Sequence, residues 1–435
     1  MFTIALTLAV RATGLAQEES LLSHDPVSLE SDSLSIEPVD SGAADLTLEG
    51  TGEVATLTEA VVPATPRSVR FHASGGAVYD DNIFQTADDT DSDTLFLLAA
   101  GIKWTPRVTE RNMFSLGYTA TAFEYLDNSD LGGDINHDAR IDGRALWGAT
   151  TFTGNFGYRH LAGTDISLAG GTATPQPLTS ASGDRDLSPQ ERRDLISIAF
   201  GLARPIAGKT SLTAGGRYQA DLYDDLPSTD DLSGYLGLGY LVGARTTVGF
   251  QGVIGRSGGD DGAIEETYQK ALLTASYDPT EKLDFSASAG LDFRQADVDG
   301  GGDRTDFVFN LSARYQWREK TGFFLNGGRD TTGSSTVTGA ANNRTSMYFG
   351  INQKIGEKWS LDLAGGYDFS DYQNPADDYS SVRDEDFTVG RARLIYQPAA
   401  NWNIGSFYEY RQNDSSDDAL SYEGNRFGLQ LAVSF

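Results

Sequence analysis

Hydrophobic and polar residues alternate along most of the chain with the two-residue period of a β-strand. The segment RFGLQLAVSF, residues 426–435, shows the pattern clearly, because every second residue from Phe427 to Phe435 is apolar. The intervening positions are polar or small. Since chain termini usually fray into solvent, we expect this segment to be a strand held by neighbours on both sides.

Two-faced segments of this kind recur from Arg67 to Phe435. Over 137–147 one face carries Asp and Arg while the other carries Ala, Ile and Trp, and 307–317 divides in the same way. We count eighteen segments from 69–79 to 423–435, and the blurred alternation over 321–330 leaves sixteen as the alternative. Each is about as long as the ~9–11 residues that cross a bilayer as a tilted strand.

The connectors between these segments alternate in length. Short connectors are predicted at 206–208, 242–244, 278–280, 318–320, 356–357 and 398–400. Long connectors rich in Asp, Gly, Ser and Asn are predicted at 80–92, 127–136, 163–190, 257–264, 296–303, 331–342, 373–382 and 412–421. This segregation predicts an all-β fold, a transmembrane antiparallel up-and-down β-barrel of 16–18 strands with short periplasmic turns and long extracellular loops. A β-propeller is the rival, but its blades pack four short strands into the length that holds two long strands here.

The aromatic residues provide a second indication. All five tryptophans lie beside short connectors, where an apolar ring and a polar N–H both find partners at a membrane boundary. The predicted membrane girdle is Trp104, Trp147, Trp317, Trp359, Trp402 and Phe435. An apolar outer face implies outer-membrane lipid as a partner, and the C-terminal strand is where we expect the barrel-assembly machinery to bind.

The first 66 residues differ from the rest. Residues 2–10 are apolar and Gly14-Leu15-Ala16 resembles a cleavage site, so 1–16 is predicted to be a secretory signal peptide; a buried N-terminal strand is the alternative. Residues 17–66 contain no Lys, Arg or aromatic residue and are predicted to be an acidic disordered periplasmic leader. A lumen plug or a partner-binding tail is the alternative for the leader. The barrel is expected over 67–435.

Charge and cysteine content narrow the function. The formal net charge of −29 excludes general nucleic-acid binding, which requires a basic surface. The chain has no Cys, so disulfides, thiolate metal sites and Cys nucleophiles are excluded. Acidic loops on an exported protein account for the charge.

The strand faces opposite the apolar stripe should line the lumen of the barrel. They carry charges of both signs, which can set ion selectivity or hold a polar solute; the alternative is that these residues only face water. Aromatic rings at Phe123, Tyr125, Tyr235, Tyr348 and Phe407 fall on the same face. The candidates for solute contact are Arg140, Arg144, Arg159, Arg217, Arg294, Arg314, Arg391, Arg393, Asp284, Asp292, Asp362 and Asp368.

Motifs for covalent chemistry are not evident. We predict no catalytic residues, no metal site and no cofactor. An outer-membrane enzyme that uses His137 with Asp138 is a weaker hypothesis. The acidic segments 88–93 and 297–303 offer oxygen ligands for Ca²⁺, but they lack the spacing of an EF-hand and are equally typical of solvated loops.

The stretch FHASGGAVYDDNIFQTADDTDSDTLFLLAAGIKW, residues 71–104, resembles the opening hairpin of the beta-barrel porin type 2 family. An apolar strand leads into Asp81-Asn82-Ile83-Phe84, and a second strand closes on Gly101-Ile102. The resemblance extends over about 69–435 and implies an outer-membrane barrel of a Gram-negative-type bacterium. It also implies a role near exopolysaccharide export, with export components as partners.

We therefore expect a channel for passive or export-associated passage of polar solutes, with polysaccharide as one candidate. The alternative is a non-conducting scaffold or assembly protein whose lumen is plugged by the leader or by 163–190.

Overall fold

The described residues contain eighteen strands, which form one antiparallel sheet that closes on itself. The computed structural model describes residues 68–88, 90–106, 109, 111–162, 191–224, 226–259, 265–280, 282–297, 302–334, 341–374 and 380–435. The predicted signal peptide, the leader and the segment 163–190 lie outside the described residues. Among these residues, the few helices lack the length and hydropathy of a transmembrane helix.

All eighteen predicted strands are present, including β13 over the segment of blurred alternation. In chain order they are β1 (Ser68–Asp80), β2 (Asp93–Thr105), β3 (Asn112–Tyr125), β4 (Ile135–Trp147), β5 (Thr150–Leu161), β6 (Arg193–Ala207), β7 (Thr210–Tyr223), β8 (Thr229–Gly243), β9 (Thr246–Gly259), β10 (Glu266–Thr280), β11 (Leu283–Ala296), β12 (Asp303–Arg318), β13 (Thr321–Gly333), β14 (Ala341–Ile355), β15 (Trp359–Asn374), β16 (Ser380–Ala399), β17 (Trp402–Ser415) and β18 (Tyr422–Ser434). Short 3-10 helices at Ser129–Leu131 and Asp418–Leu420 lie in the long connectors.

Tight turns join the strands at one end of the barrel. Gly148 and Gly356 adopt φ values of +60° and +71° in the turns after β4 and β14, a conformation that glycine reaches without steric cost. Five predicted turns begin too early, because the strand before each one continues across an irregularity in the ladder. These strands are β6, β8, β10, β12 and β16. An irregularity that adds a residue bends a strand without ending it.

The barrel closes where β1 pairs with β18. The register runs from His72 opposite Ser434 to Asp80 opposite Arg426. Phe71 and Phe435 extend this pairing by exchanging backbone hydrogen bonds of 2.7 and 2.9 Å, and their rings stack. The predicted second neighbour of the C-terminal strand is therefore β1, and both strands have partners on each side.

Large apolar side chains cover the outer face of the barrel. Leu98, Ile254 and Leu273 are each exposed by about two thirds, and similar side chains alternate along nearly every strand. A soluble monomer rarely presents an apolar surface of more than a few hundred Å². Only a closed barrel or a helix satisfies its backbone within lipid, so this outer face is a lipid-facing surface.

Exposed aromatic side chains lie at the short-turn end of the apolar face and again nearer the loop end. The five tryptophans all lie exposed near the short turns, with Trp147 the most exposed. Their role as a membrane girdle stays a prediction. Phe96 lies eight residues from Trp104 on the same face of β2, and Tyr367 lies eight residues from Trp359 on the same face of β15. At a rise of about 3.3 Å per residue and a tilt of about 40°, this spacing is about 20 Å along the membrane normal, close to the ~25 Å apolar band of known outer-membrane barrels.

A hydrogen-bonded clasp holds the closing seam at the loop end. The buried Asp80 carboxylate accepts two bonds of 3.0 Å from Nη2 of Arg411 and one of 2.6 Å from Nε of Arg426. Asp81 accepts from the backbone N–H and the amide of Asn425 at 2.6 and 2.7 Å. Asn82 donates to the carbonyl of Glu423 at 3.0 Å. Three successive residues of β1 and its loop thus bind β17 and β18.

Replacing Asp80 with Asn should destabilise the barrel by about 3–5 kcal/mol, because two buried guanidinium groups lose their common carboxylate. The measurement is urea unfolding of the refolded protein, followed by Trp fluorescence. Asp130→Asn, in an exposed 3-10 helix, is the matched control and should leave the midpoint unchanged. Equal midpoints for the two variants would contradict the role of the clasp.

Candidate functional site

The candidate site is the inner face of the barrel. All twelve residues predicted for solute contact alternate with outward apolar residues and therefore point inward. On β4, for example, Arg140 and Arg144 lie on the face opposite Ile135 and the exposed Trp147. The alternation thus places the charges correctly, whereas contact with a solute stays a prediction.

Most inward charges on β14–β18 are paired across neighbouring strands. Arg393 donates to Asp362 at 2.7 and 2.9 Å, and Arg391 donates to Glu409 at 2.6 and 2.8 Å. Asp368 accepts from Arg344 at 2.7 Å and from the hydroxyl of Tyr348. Together with the Asp80 clasp, these pairs form a paired belt along the inner wall from β14 to β1.

The paired belt contains residues that the sequence interpretation missed. Glu409, Arg411 and Arg426 were not among the candidates, and Asp80 was assigned to a loop. The signal was available for β17, where Glu409 and Arg411 alternate with Tyr408 and Tyr410 as Arg391 and Arg393 do with Gly390 and Ala392. Their pairing depends on strand register, which the sequence alone does not specify.

The inward charges on β4–β7 are more exposed than those of the paired belt. Arg140 pairs with Asp142 at 3.1 Å, and Arg159 approaches Asp138 at 3.5 Å. Arg217 donates to Gln219.

Two further candidates lie on β11 and β12, where Asp284 and Arg314 are directly opposite each other in the ladder. Most of these groups are partly exposed, so they contact water in the lumen.

The sheet is creased between β12 and β13. Their pairing ends at Phe309 opposite Arg329, although β13 continues to Gly333 and stays paired with β14. Beyond Arg329 the strand crosses the interior, and Cα atoms of β13 come within 8 Å of β9, although three strands lie between the two in the sheet. We call Asp330–Gly333 the β13 tip. It narrows the lumen at the loop end.

A buried ionic cluster lies beneath the β13 tip. Lys270 on β10 forms an ion pair with Asp330 of the tip. Arg294 on β11 donates to the carbonyl of Thr331 at 2.5 Å and binds Asp292 and Glu266 at 2.9 and 3.1 Å. The predicted candidates Arg294 and Asp292 are thus almost fully buried in a structural cluster, and water in the lumen does not reach them in this conformation.

Apolar side chains fill the space that the β13 tip closes off. Val253, Tyr268, Leu272 and Val308 all point inward and form one buried cluster. The Tyr268 ring also lies 4.8 Å from the guanidinium of Arg294, and its hydroxyl donates to Asp231 at 2.8 Å. Inward apolar residues would face water in a round barrel, so the crease explains why they are tolerated.

The loop after β1 forms a second inward element. Asn82 bonds the backbone N–H and carbonyl of Thr86 at 3.0 and 2.8 Å and closes a tight turn. Ile83 is buried against Val78, Leu95 and Phe123 of the inner wall. The predicted inward aromatic rings Phe123, Tyr125 and Phe407 belong to this cluster, so they pack against the loop and each other.

Asp93 uses its carboxylate to hold the neighbouring loop. It accepts from backbone N–H groups of Leu126, Asp127 and Asn128 at 2.8–3.2 Å, and from the amide of Asn128. Within the described residues, no group of three or more potential ligands is placed to hold a metal ion. Of the acidic segments 88–93 and 297–303, residues 89 and 298–301 lie outside the described residues.

The His137–Asp138 pair considered for an enzyme does not form, because adjacent strand residues point to opposite faces. His137 lies on the outer face, where Nδ1 bonds the hydroxyl of Tyr118 at 2.8 Å, and its ring lies 6.0 Å from that of His160. Asp138 lies inside beside Arg159. The hypothesis of a His137–Asp138 catalytic pair is therefore wrong, because the two side chains lie on opposite faces of β4.

The fold defines a class of protein. A closed 18-stranded antiparallel barrel with a lipid-facing outer surface and short turns at one end is an outer-membrane β-barrel of a Gram-negative-type bacterium.

Comparison with known proteins gives few further details. A family of proteins of unknown function, DUF481, matches residues 276–397, from the end of β10 to most of β16. No curated protein matches the chain. The predicted resemblance to the beta-barrel porin type 2 family therefore stays a prediction.

Several solved structures match the chain at low sequence identity. OpdK of Pseudomonas aeruginosa, solved with vanillate, is 12% identical with a TM-score of 0.41, and the match covers 85% of this chain and 99% of that one. OccK3 (OpdO) of Pseudomonas aeruginosa is 11% identical with a TM-score of 0.44, over 85% and 96% of the two chains. OccAB2 of Acinetobacter baumannii is 11% identical with a TM-score of 0.44, and the match covers 85% of this chain and 98% of that one.

Replacing Ile83 with Ala should release the loop after β1 from the inner wall. Truncating a buried Ile lowers the stability of its packing by about 2–5 kcal/mol. Chymotrypsin should therefore cleave after Phe84 faster than in the unmodified protein, and mass spectrometry would detect the cleavage. Val382→Ala, at a half-exposed position, is the control and should not change the rate. Unchanged cleavage in Ile83→Ala would show that the loop is held by its hydrogen bonds alone.

Proposed function

We propose that the protein is a channel for the passage of polar solutes across the outer membrane. The observation that carries the proposal is a closed barrel of eighteen strands whose inner face is lined by charged and hydrogen-bonding side chains. Barrels of 16–18 strands leave an aqueous lumen, whereas eight strands are filled by their own side chains. A polar inner wall serves no purpose in a dry core.

The charge arrangement supports weak ion selectivity. Arg391 and Arg393 face the lumen on successive inward positions, yet each is neutralised by a carboxylate on the adjacent strand. A wall of paired charges presents many donors and acceptors but little net field. Such a wall suits neutral polar or zwitterionic solutes. Polysaccharide is one such solute, and the resemblance to the type 2 porins is its only support.

Refolded protein in a planar bilayer should give discrete conductance steps. Removal of residues 17–66 should leave the step size unchanged if the leader does not block the lumen. Added polysaccharide should reduce the conductance only if glycans enter the channel. The absence of steps from a correctly folded, heat-modifiable barrel would contradict the channel and favour a plugged scaffold.

Replacing Glu409 with Gln should shift the channel toward anions, because Arg391 and Arg426 would lose their shared negative partner. The measurement is the reversal potential across a KCl gradient. Glu423→Gln changes the same charge on the outer face of β18 and is the matched control. An equal shift in both variants would show that the mouth, and not the inner wall, determines selectivity.

A further inference from the structure

Two histidines form a pair on the outer face of the barrel, close to the loop end. His137 on β4 and His160 on β5 are directly opposite each other in the ladder, and their ring centres lie 6.0 Å apart. The side chain of His160 is 34% exposed, and His137 is partly exposed. The register of two strands thus brings together two imidazole groups that are separated along the chain.

The Nδ1 atom of each ring is already bonded, and the two partners lie on opposite flanks of the pair. Nδ1 of His160 lies 2.8 Å from a carboxylate oxygen of Asp194 on β6, and Nδ1 of His137 lies 2.8 Å from the hydroxyl of Tyr118 on β3. The order β3-β4-β5-β6 in the sheet places both partners outside the pair. In each ring, Nε2 is therefore the nitrogen that is turned away from the flanking partner and remains for a further ligand.

The Asp194 contact determines which nitrogen of His160 can bind a metal. An ionised carboxylate only accepts hydrogen bonds, so Nδ1 of His160 carries the proton and Nε2 has the lone pair. Metal-binding histidines usually donate their other ring N–H to such a carboxylate, which fixes the tautomer and raises the basicity of the ligand. Tyr158 also donates to Asp194, at 3.0 Å, and helps to position it. The Tyr118 hydroxyl can donate or accept, so it permits the same tautomer in His137.

The spacing of the two rings suits one shared ion. An ion bonded to both Nε2 atoms at about 2.0–2.1 Å would hold the two ring centres about 5–6 Å apart, and the observed separation is 6.0 Å. Imidazole is a suitable ligand for Zn²⁺, Cu²⁺ and Ni²⁺. Two protein ligands leave the other coordination positions to water. Such a site differs from a group of three or more protein ligands, which does not occur among the described residues.

Water and dissolved ions can reach this position. His137 lies ten residues from Trp147 on the same face of β4. At a rise of about 3.3 Å per residue and a tilt of about 40°, this spacing is about 25 Å along the membrane normal, the height of the apolar band of known outer-membrane barrels. The pair therefore lies at the loop-end border of the lipid-facing surface, where the side chain of Asp194 is 39% exposed.

We propose that His137 and His160 form a binding site for a divalent transition-metal ion at this border. Nε2 of each histidine is a ligand, and Asp194 and Tyr118 are positioning residues that act through Nδ1. The ion joins β4 to β5 outside the lumen, so the inference does not depend on the proposed channel. The sequence predicted no metal site, because the pair forms only through strand register.

Copper binding to the refolded full chain, prepared without an affinity tag, tests the site. An equimolar amount of Cu²⁺ should give an electron paramagnetic resonance spectrum with splitting from two imidazole nitrogens, and Zn²⁺ should displace the Cu²⁺. His137→Ala and His160→Ala should each leave a single nitrogen. His72→Ala, on the inner face beside Thr119, is the matched control and should not change the spectrum. Heat-modifiable migration on a gel shows in each case that the barrel is folded.

A further variant tests the positioning residue. Asp194→Asn keeps both ligands but replaces the carboxylate with a neutral amide. The two-nitrogen spectrum should remain, while the affinity for Zn²⁺ in the competition with Cu²⁺ should fall by about 10-fold or more. Unchanged affinity would overturn the role of Asp194.

Two results would overturn the site itself. A two-nitrogen spectrum that persists in both His137→Ala and His160→Ala would show that the ion binds elsewhere. The absence of that spectrum from the unmodified, folded protein would show that the pair does not bind an ion. Neither result bears on the proposed channel, which conductance tests separately.

Discussion

Every feature of this barrel depends on the need to satisfy backbone hydrogen bonds where no water is available. In lipid an unpaired N–H or C=O costs several kcal/mol, so the sheet has to close. The closing contact joins β1 to β18, and the buried Asp80 clasp reinforces it with charge-assisted bonds from Arg411 and Arg426. At the loop end of β12 the ladder with β13 stops at Phe309, and the sheet creases.

The two faces of the sheet obey different rules. Outside, apolar side chains are exposed to lipid and aromatic rings mark the boundaries. Inside, carboxylates and guanidinium groups neutralise one another across adjacent strands, as Arg393 does with Asp362 and Arg391 with Glu409. The strong negative charge of the chain therefore resides largely in the loops and in residues 17–66, and not on the wall of the lumen.

The fold was predictable from the sequence because a lipid-facing outer surface requires apolar and polar residues to alternate strictly along each strand. Strand number and loop lengths follow from that alternation. The pairing of charges was not predictable, because it requires strand register; Asp80 and Arg426 lie 346 residues apart. The crease left a trace, since alternation blurs over 321–330, in the strand that later leaves its neighbour. Its direction across the lumen depends on Lys270 and Arg294, which no local pattern connects to β13.

The closing seam also determines the order in which the barrel is built. Hairpins such as β4–β5 join residues that are close in the chain and need little loop closure, whereas β1 and β18 are joined across almost the whole domain. Contacts of such long range carry a large entropic cost and form late. Until they form, β1 and β18 are open edges, able to pair with another chain. The interval between synthesis and closure is therefore when this protein is most exposed to aggregation.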